Sequence, residues 1–375
     1  MRRLLFLGIL FTTAVANAQT ATEYYDTGVK LKNEKKPQEA ITSFKEAVRL
    51  KADYHAAWYE MGWCMNDTKD YTGALASLRK ARTGWSSVPK VHYELGYAFD
   101  KLNLTDSAIK EYNKCLDLNG EYSLAYKQLG TIYYYKDDYD KALGYFADYE
   151  QFTKLTITDY LYWYRKGFML NSQKRFEEAT TALKKSLEYK TDYINTPLEL
   201  GFAASRLKQN DVAINYYKKA IEIDPGSHIA YNGIGEVYRD FIKNREEAMT
   251  WYRKALVINS KERKACFGMG YCYNALGKYN DALPYLKTAI EQQSDYTAAY
   301  VELGYCYYML SNYSLGVDNL KKAISLNPAN MNARYYCGLI YIAQKNKSLA
   351  QQMVNELKEL NSKDAPALQE KVNKM

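Results

Sequence analysis

Histidine is the residue this chain uses least, at 3 positions in 375, and proline is scarce as well, at 7. His55, His92 and His228 stand far apart, and no His-Glu-x-x-His run exists, so the usual zinc-hydrolase signature is missing. No long polar tract signals disorder. After residue 15 no apolar run is long enough to span a bilayer, so the processed chain is expected to be soluble and peripheral to a membrane at most. The charge is nearly balanced: 51 basic against 43 acidic residues, a net of +8. That excess is small for the length and calls for no nucleic acid partner. Acidic pairs occur at Asp137-Asp138, Glu177-Glu178 and Glu246-Glu247. Each falls near the start of a helix, where the dipole favours negative charge without any acid–base role. No cofactor, metal site or catalytic constellation emerges, and an enzyme is not expected.

The first eighteen residues read as a signal peptide. Arg2 and Arg3 form a basic segment, Leu4 to Val15 are uncharged and apolar, and Ala16-Asn17-Ala18 offers small residues for cleavage before Gln19. No cysteine follows that site, which disfavours a lipid anchor, and the polar context of a twin-arginine signal is missing. The expectation is an exported bacterial protein, periplasmic or secreted.

What the chain has in abundance is tyrosine, 39 residues, and a strict spacing of glycine. Gly28, Gly62, Gly96, Gly130, Gly167, Gly201, Gly235, Gly270, Gly304 and Gly338 recur at intervals of 34 to 37 residues. A second small residue follows each by twelve or thirteen: Ala40, Ala74, Ala108, Ala142, Ala179, Ala213, Ala248, Ala282, Gly316 and Ala350. Such a period marks a stacked repeat, so the chain is not two or three independent globules.

Numbering the first unit from Ala21 puts the glycine at position 8. Apolar residues at positions 4, 7, 8 and 11 form one helical stripe, as in Trp58, Met61, Gly62 and Met65. A second stripe occupies positions 20, 24 and 27, as in Ala74, Leu78 and Ala81. Each unit is therefore an antiparallel helix pair whose small residues allow close approach. Aromatics at position 17 (Tyr71, Tyr139, Phe176, Tyr279 and Tyr313) wedge the turn, and Pro225 and Pro328 stop the second helix.

This pattern resembles the tetratricopeptide repeat. Repeat four reads Tyr126-Lys127-Gln128-Leu129-Gly130-Thr131-Ile132-Tyr133 with Ala142 and Phe146, and repeat six carries Leu200, Gly201, Ala213, Tyr217, Ala220 and Pro225. The resemblance implies an all-α, right-handed solenoid of about ten helix-turn-helix repeats over 19–362, starting near 21, 55, 89, 123, 160, 194, 228, 263, 297 and 331. Residues 363–375, with Leu368 and Val372 on one face, suit a short capping helix. Three extra residues, Ile157 to Asp159, should bend or loosen the stack between repeats four and five. One more is expected in the turn of repeat seven, near Phe241 to Arg245. Repeat ten is irregular, with Arg334 and Lys347 at positions 4 and 17.

In this register other features become structural. Cys64, Cys272 and Cys306 take position 10, Cys115 position 27, Cys337 position 7 and Cys266 position 4, all core sites. Equivalent positions in adjacent repeats lie ~8–10 Å apart, beyond disulfide reach, which leaves Cys306 with Cys337 as the one pair to consider. Gly233-Ile234-Gly235 and Gly268-Met269-Gly270 are helix positions 6 to 8, not phosphate loops. Basic pairs such as Arg79-Lys80 and Lys218-Lys219 sit in the last turn of the second helix, facing its dipole.

One stripe is left over. Positions 2, 5, 9 and 12 of the first helix lie away from its core stripe, and the resemblance implies that they line the concave surface where such solenoids hold partners. Aromatics dominate them: Tyr59, Trp63, Tyr93, Tyr97, Tyr134, Tyr164, Phe168, Phe202, Phe267, Tyr271, Tyr305, Tyr308 and Tyr335. An aromatic at position 9 has no evident packing need, so these rings either tighten the inner wall or form a track for a ligand. Glu60, Glu94, Lys127, Arg165, Glu199, Glu236 and Arg239 stand among them as polar register marks. No asparagine occupies position 9, which removes the carboxylate clamp of some family members. The expected function is a non-catalytic protein- or peptide-binding scaffold. Glycan binding, or service as an accessory subunit of an envelope enzyme, are the alternatives.

Overall fold

The computed structural model describes residues 20–375; the signal-peptide segment and its cleavage site lie outside the described residues. Among the described residues the chain contains twenty-one α-helices, one π-helical segment and no strand. The first helices of the ten repeats are α1 (Ala21–Asn33), α3 (His55–Asp67), α5 (Pro89–Lys101), α7 (Ser123–Tyr135), α9 (Tyr160–Ser172), α11 (Asn195–Arg206), α13 (His228–Glu236), α15 (Arg263–Ala275), α17 (Thr297–Met309) and α19 (Met331–Ala343). Their partners are α2 (Pro37–Leu50), α4 (Tyr71–Gly84), α6 (Thr105–Leu118), α8 (Tyr139–Phe152), α10 (Phe176–Tyr189), α12 (Asn210–Ile223), α14 (Arg245–Ile258), α16 (Tyr279–Gln292), α18 (Tyr313–Leu326) and α20 (Lys347–Glu359). A last helix, α21 (Ala365–Asn373), follows.

The chain divides into two compact units at Ile157/Thr158. The first holds four helix pairs; the second holds six pairs and α21. Within each unit every helix packs against the next in the chain, the arrangement of a helical repeat solenoid.

The glycine register has a direct steric cause. A Cβ built on Gly62 would lie 2.6 Å from Leu78, and one on Gly130 would lie 2.3 Å from Phe146 and 3.2 Å from the Ala142 carbonyl. Position 8 thus accepts the side chain at position 24, while the alanine at position 20 is fully buried beside it. In repeat ten the residue seated on the glycine comes from elsewhere: Gly338 faces Leu368 of α21. Ala365, Leu368 and Val372 of that helix are buried against α19 and α20.

Helix ends follow from local chemistry. Asp70, Asp138, Asn244 and Asn346 each accept from a backbone N–H in the first turn of a second helix. The turn before each second helix contains one residue in the left-handed region, among them Lys35, Lys69, Lys174 and Gly277.

Repeat seven departs from expectation. Its extra residue is absorbed in the first helix: α13 continues into a π-helical segment, Val237–Ile242, and Lys243 alone carries the left-handed turn. A wider helical ring is the cheapest way to accommodate one residue without shifting the core register of α14.

Candidate functional site

Successive first helices touch one another: α1 with α3 and α3 with α5 in the first unit, and each neighbour from α9 to α19 in the second. Second helices show no comparable mutual contact. In each unit the row of first helices is therefore the tighter, inner side, and positions 2, 5, 9 and 12 lie along it.

The rings on that side are not equivalent. Tyr59 is only 7% exposed, tucked 5.9 Å from Trp85 with the Lys90 ammonium 4.2 Å over its face. Tyr93 packs on Tyr112 and Tyr122 and accepts a long hydrogen bond from Gln128, and burial pushes its hydroxyl up to about 12. Tyr134 meets Tyr135 and Tyr139; Tyr164 meets Phe168 and Tyr193; Tyr308 meets Tyr313; Tyr335 meets Tyr336. Phe267 packs on Tyr271 and Tyr296. Phe202 is the most open of the set at 41% exposure.

Position 9 does have a packing partner, contrary to the expectation from sequence. Tyr97 meets Tyr71 edge-on at 6.4 Å, Phe202 meets Phe176 at 6.0 Å, and Tyr305 meets Tyr279 at 6.1 Å, with interplanar angles of 69°, 75° and 83°. Each pair joins position 17 of one repeat to position 9 of the next, the T-shaped geometry that a ring quadrupole favours. The turn wedge of one repeat is thus half of the inner-wall contact of its neighbour.

A second set of bonds lies beside these rings. The Asn66 Nδ2 donates to the Glu94 carbonyl at 3.1 Å and carboxylate at 2.8 Å. Asn171 does the same to Glu199, at 3.1 and 2.8 Å, and Asn274 to Glu302, at 3.0 Å each. The three glutamates are desolvated, and burial raises all their carboxyls, that of Glu94 to about 7. The sequence places Glu94 and Glu199 among the rings as polar residues, but the three asparagines carry no signal there beyond a spacing of 28 residues to the glutamate.

Two cavities open on this side. One of about 240 Å³ in the first unit gathers Trp63, Tyr93 and Tyr97 with Asn66, Tyr71 and Glu94. The other, about 450 Å³ in the second unit, is lined by Leu198, Phe202, Ile229, Asn232, Glu199 and Glu236 among others. Gly233, at position 6 of repeat seven, and Tyr217 form part of its wall, packed so closely that a Cβ on Gly233 would fall 2.4 Å from the Tyr217 ring.

Among the described residues no group of three His, Cys, Asp or Glu could hold a metal ion, and no helix is long and apolar enough to cross a membrane. All six cysteines are buried free thiols, their pKa values raised by desolvation. His92, 5% exposed, is held in the core of the first unit between the Glu111 carboxylate at 2.7 Å and the Ser86 carbonyl at 2.9 Å.

Two models of the tetratricopeptide repeat match this sequence, one at residues 29–89 and 273–317, the other at 89–122, 160–193, 198–227 and 228–262. Together they cover more than half of it. A TPR repeat-containing protein of Methanocaldococcus jannaschii is 29% identical over 154 residues, 36% of this chain and 44% of that protein. The peroxisomal targeting signal receptor of Saccharomyces cerevisiae is 22% identical over 219 residues, 47% of this chain and 35% of the receptor. The chain spans less than half the length of these curated relatives. A chain of the APC/C hetero-tetramer Cut9-Hcn1 has the same fold, with a TM-score of 0.53 at 13% identity over 94% of this chain and 90% of that one. With its glycine register, helix pairs and matched repeats in agreement, the chain belongs to the tetratricopeptide repeat family.

Proposed function

We propose that this protein is a non-catalytic scaffold, acting outside the cytoplasm, that holds a protein or peptide along the inner faces of its first helices. The observation that carries this reading is the pair of cavities on that side, each joining part-exposed rings to buried polar groups. A surface of that composition supplies apolar area together with a few fixed hydrogen-bonding groups, the combination that recognises extended polypeptide. The likeness to the peroxisomal targeting signal receptor supports a polypeptide ligand over a small molecule. The export signal read in residues 1–18 supports the location.

The test is affinity capture from an envelope extract with residues 19–375, beside a variant carrying Trp63→Ala, Phe168→Ala and Tyr271→Ala, with eluates assayed for protein and for saccharide. Protein retained by the parent and lost by the folded variant is the expected result. Equal retention by both, or retention of saccharide alone, would overturn it.

A further inference from the structure

The interfaces between repeats carry a second, longer period. Those between repeats two and three, five and six, and eight and nine present the same four groups: asparagine at position 12, an aromatic at 17, then glutamate at 6 and an aromatic at 9 of the following repeat. They are Asn66, Tyr71, Glu94 and Tyr97; Asn171, Phe176, Glu199 and Phe202; and Asn274, Tyr279, Glu302 and Tyr305. The sequence Glu-Leu-Gly-Tyr or Glu-Leu-Gly-Phe marks repeats three, six and nine only, so the array is built in threes.

At these interfaces the asparagine gives both amide hydrogens to the glutamate, and its Oδ1 is buried with no partner in all three. Asn66, Asn171 and Asn274 are 5%, 4% and 4% exposed. Each lies near a further ring at position 9 of its own repeat, Trp63, Phe168 or Tyr271. The cavity of about 240 Å³ opens on the first of the three, its lining completed by the exposed Asp67 and Lys69, and the larger cavity reaches Glu199 and Phe202 of the second.

Two other interfaces show what this arrangement accommodates. Between repeats one and two, position 12 is Lys32, which bonds the Glu60 carboxylate at 2.5 Å and places its ammonium 5.2 Å over the Trp63 ring. Between repeats seven and eight, where position 6 is Gly268, position 12 is Arg239; it pairs with Asp240 and its guanidinium lies 5.5 Å from the Phe267 ring and 5.6 Å from that of Tyr271. A carboxylate at position 6 and a ring at position 9 form a cation site, which the chain fills itself at the first interface. Asparagine at position 12 keeps the carboxylate but brings no charge to it.

We infer that the three asparagine interfaces are subsites for basic side chains of the bound polypeptide, each taking a lysine or arginine against its glutamate and inner-wall rings. This rests on the polypeptide-binding reading above and adds the ligand's chemistry. A cation offsets the desolvation of a buried carboxylate; Glu94 and Glu199 receive only the amide of their asparagines, whereas Glu302 is already lowered in part by the charge of Arg239. Within the second unit the two subsites are three repeats apart, ~25–30 Å at ~8–10 Å per helix spacing. Extended chain covers that in about 8 or 9 residues. A basic residue at that interval engages both subsites at once.

The experiment uses residues 19–375 and a fluorescent 20-residue Gly-Ser peptide with arginines nine residues apart, followed by anisotropy. The controls replace both arginines with citrulline, or bring them four residues apart. The protein's own net positive charge works against nonspecific attraction of such a peptide. Expected is binding at least tenfold tighter than the citrulline peptide and severalfold tighter than the short-spaced one. Glu199→Gln with Glu302→Gln should lose about tenfold, while circular dichroism stays native because glutamine still accepts from Asn171 and Asn274. No binding, or binding indifferent to citrulline or to the glutamine pair, would overturn the inference. The two readings separate in the capture assay: a Glu94→Gln, Glu199→Gln, Glu302→Gln chain that retains the same partner as the parent refutes the basic subsites and leaves the scaffold standing. Failure of the ring variant to alter capture refutes the scaffold itself.

Discussion

Asn66 reaches from the first helix of one repeat to the glutamate of the next, holding Glu94 by its carbonyl and its carboxylate at 3.1 and 2.8 Å. The bond crosses the interface between α3 and α5, and it leaves a carboxyl group where water is scarce. Burial is the largest cause of the rise in the Glu94 pKa to about 7; the hydrogen bond from Asn66 opposes it and Glu60 adds to it.

That rise makes stability pH-dependent with a definite sign. The folded chain keeps the Glu94 proton up to about pH 7, whereas the unfolded chain releases it near the ordinary value of 4.5. Its contribution is complete below pH 4.5 and is lost as pH rises through 7, by roughly 3 kcal/mol at most. Urea denaturation from pH 4.5 to 8 should show Glu94→Gln flatter than the parent over that window. Parallel curves would refute the assignment.

Two glycines of repeat four, fourteen residues apart, should respond oppositely to alanine. Gly130→Ala drives a Cβ into Phe146 and should destabilise by about 2–3 kcal/mol. Gly144 in α8 has nothing within 4 Å of a built Cβ, so Gly144→Ala should stabilise by ~0.5–1 kcal/mol through helix propensity alone. Chemical denaturation of the two variants checks both signs.

The turns offer a similar contrast. Gly277 sits at φ +71°, and Gly277→Ala should cost about 1 kcal/mol. Lys174 holds φ +62° without that freedom, so Lys174→Gly should gain a comparable amount. Melting temperatures moving the same way in both variants would contradict the strain.

The π-helical segment carries Arg239 into the rings of repeat eight. Arg239→Gln removes the charge above Phe267 and Tyr271 and should cost about 1–2 kcal/mol. Removing one residue from 237–242 should restore an ordinary α-helix and shift Arg239 off those rings, measurable as altered near-ultraviolet dichroism of the aromatic cluster.

If export is right, the chain recovered from a bacterial envelope fraction begins at Gln19. Amino-terminal sequencing decides it, and an intact Met1 would end the proposal of a cleaved signal.

Much of this molecule is legible in its sequence because a repeat's folding contacts are local. Gly62 meets Leu78 sixteen residues on, so the small residues and the apolar stripes fix both the register and the helix pairs from one-dimensional spacing. The extra residue of repeat seven was visible but not its place: turn and helix both accept one residue, and the choice of a π-helix depends on keeping the α14 core in phase. Whether the aromatic stripe packs on itself was not legible either. Tyr71 and Tyr97, or Asn66 and Glu94, belong to different repeats, and only the angle at which one helix pair leans on the next brings them together. The sequence alone determined the unit and its period, since those follow from sterics within thirty-four residues. The tertiary structure decided which rings are paired, which carboxylates are buried and where cavities open, since those depend on contacts that no single repeat contains.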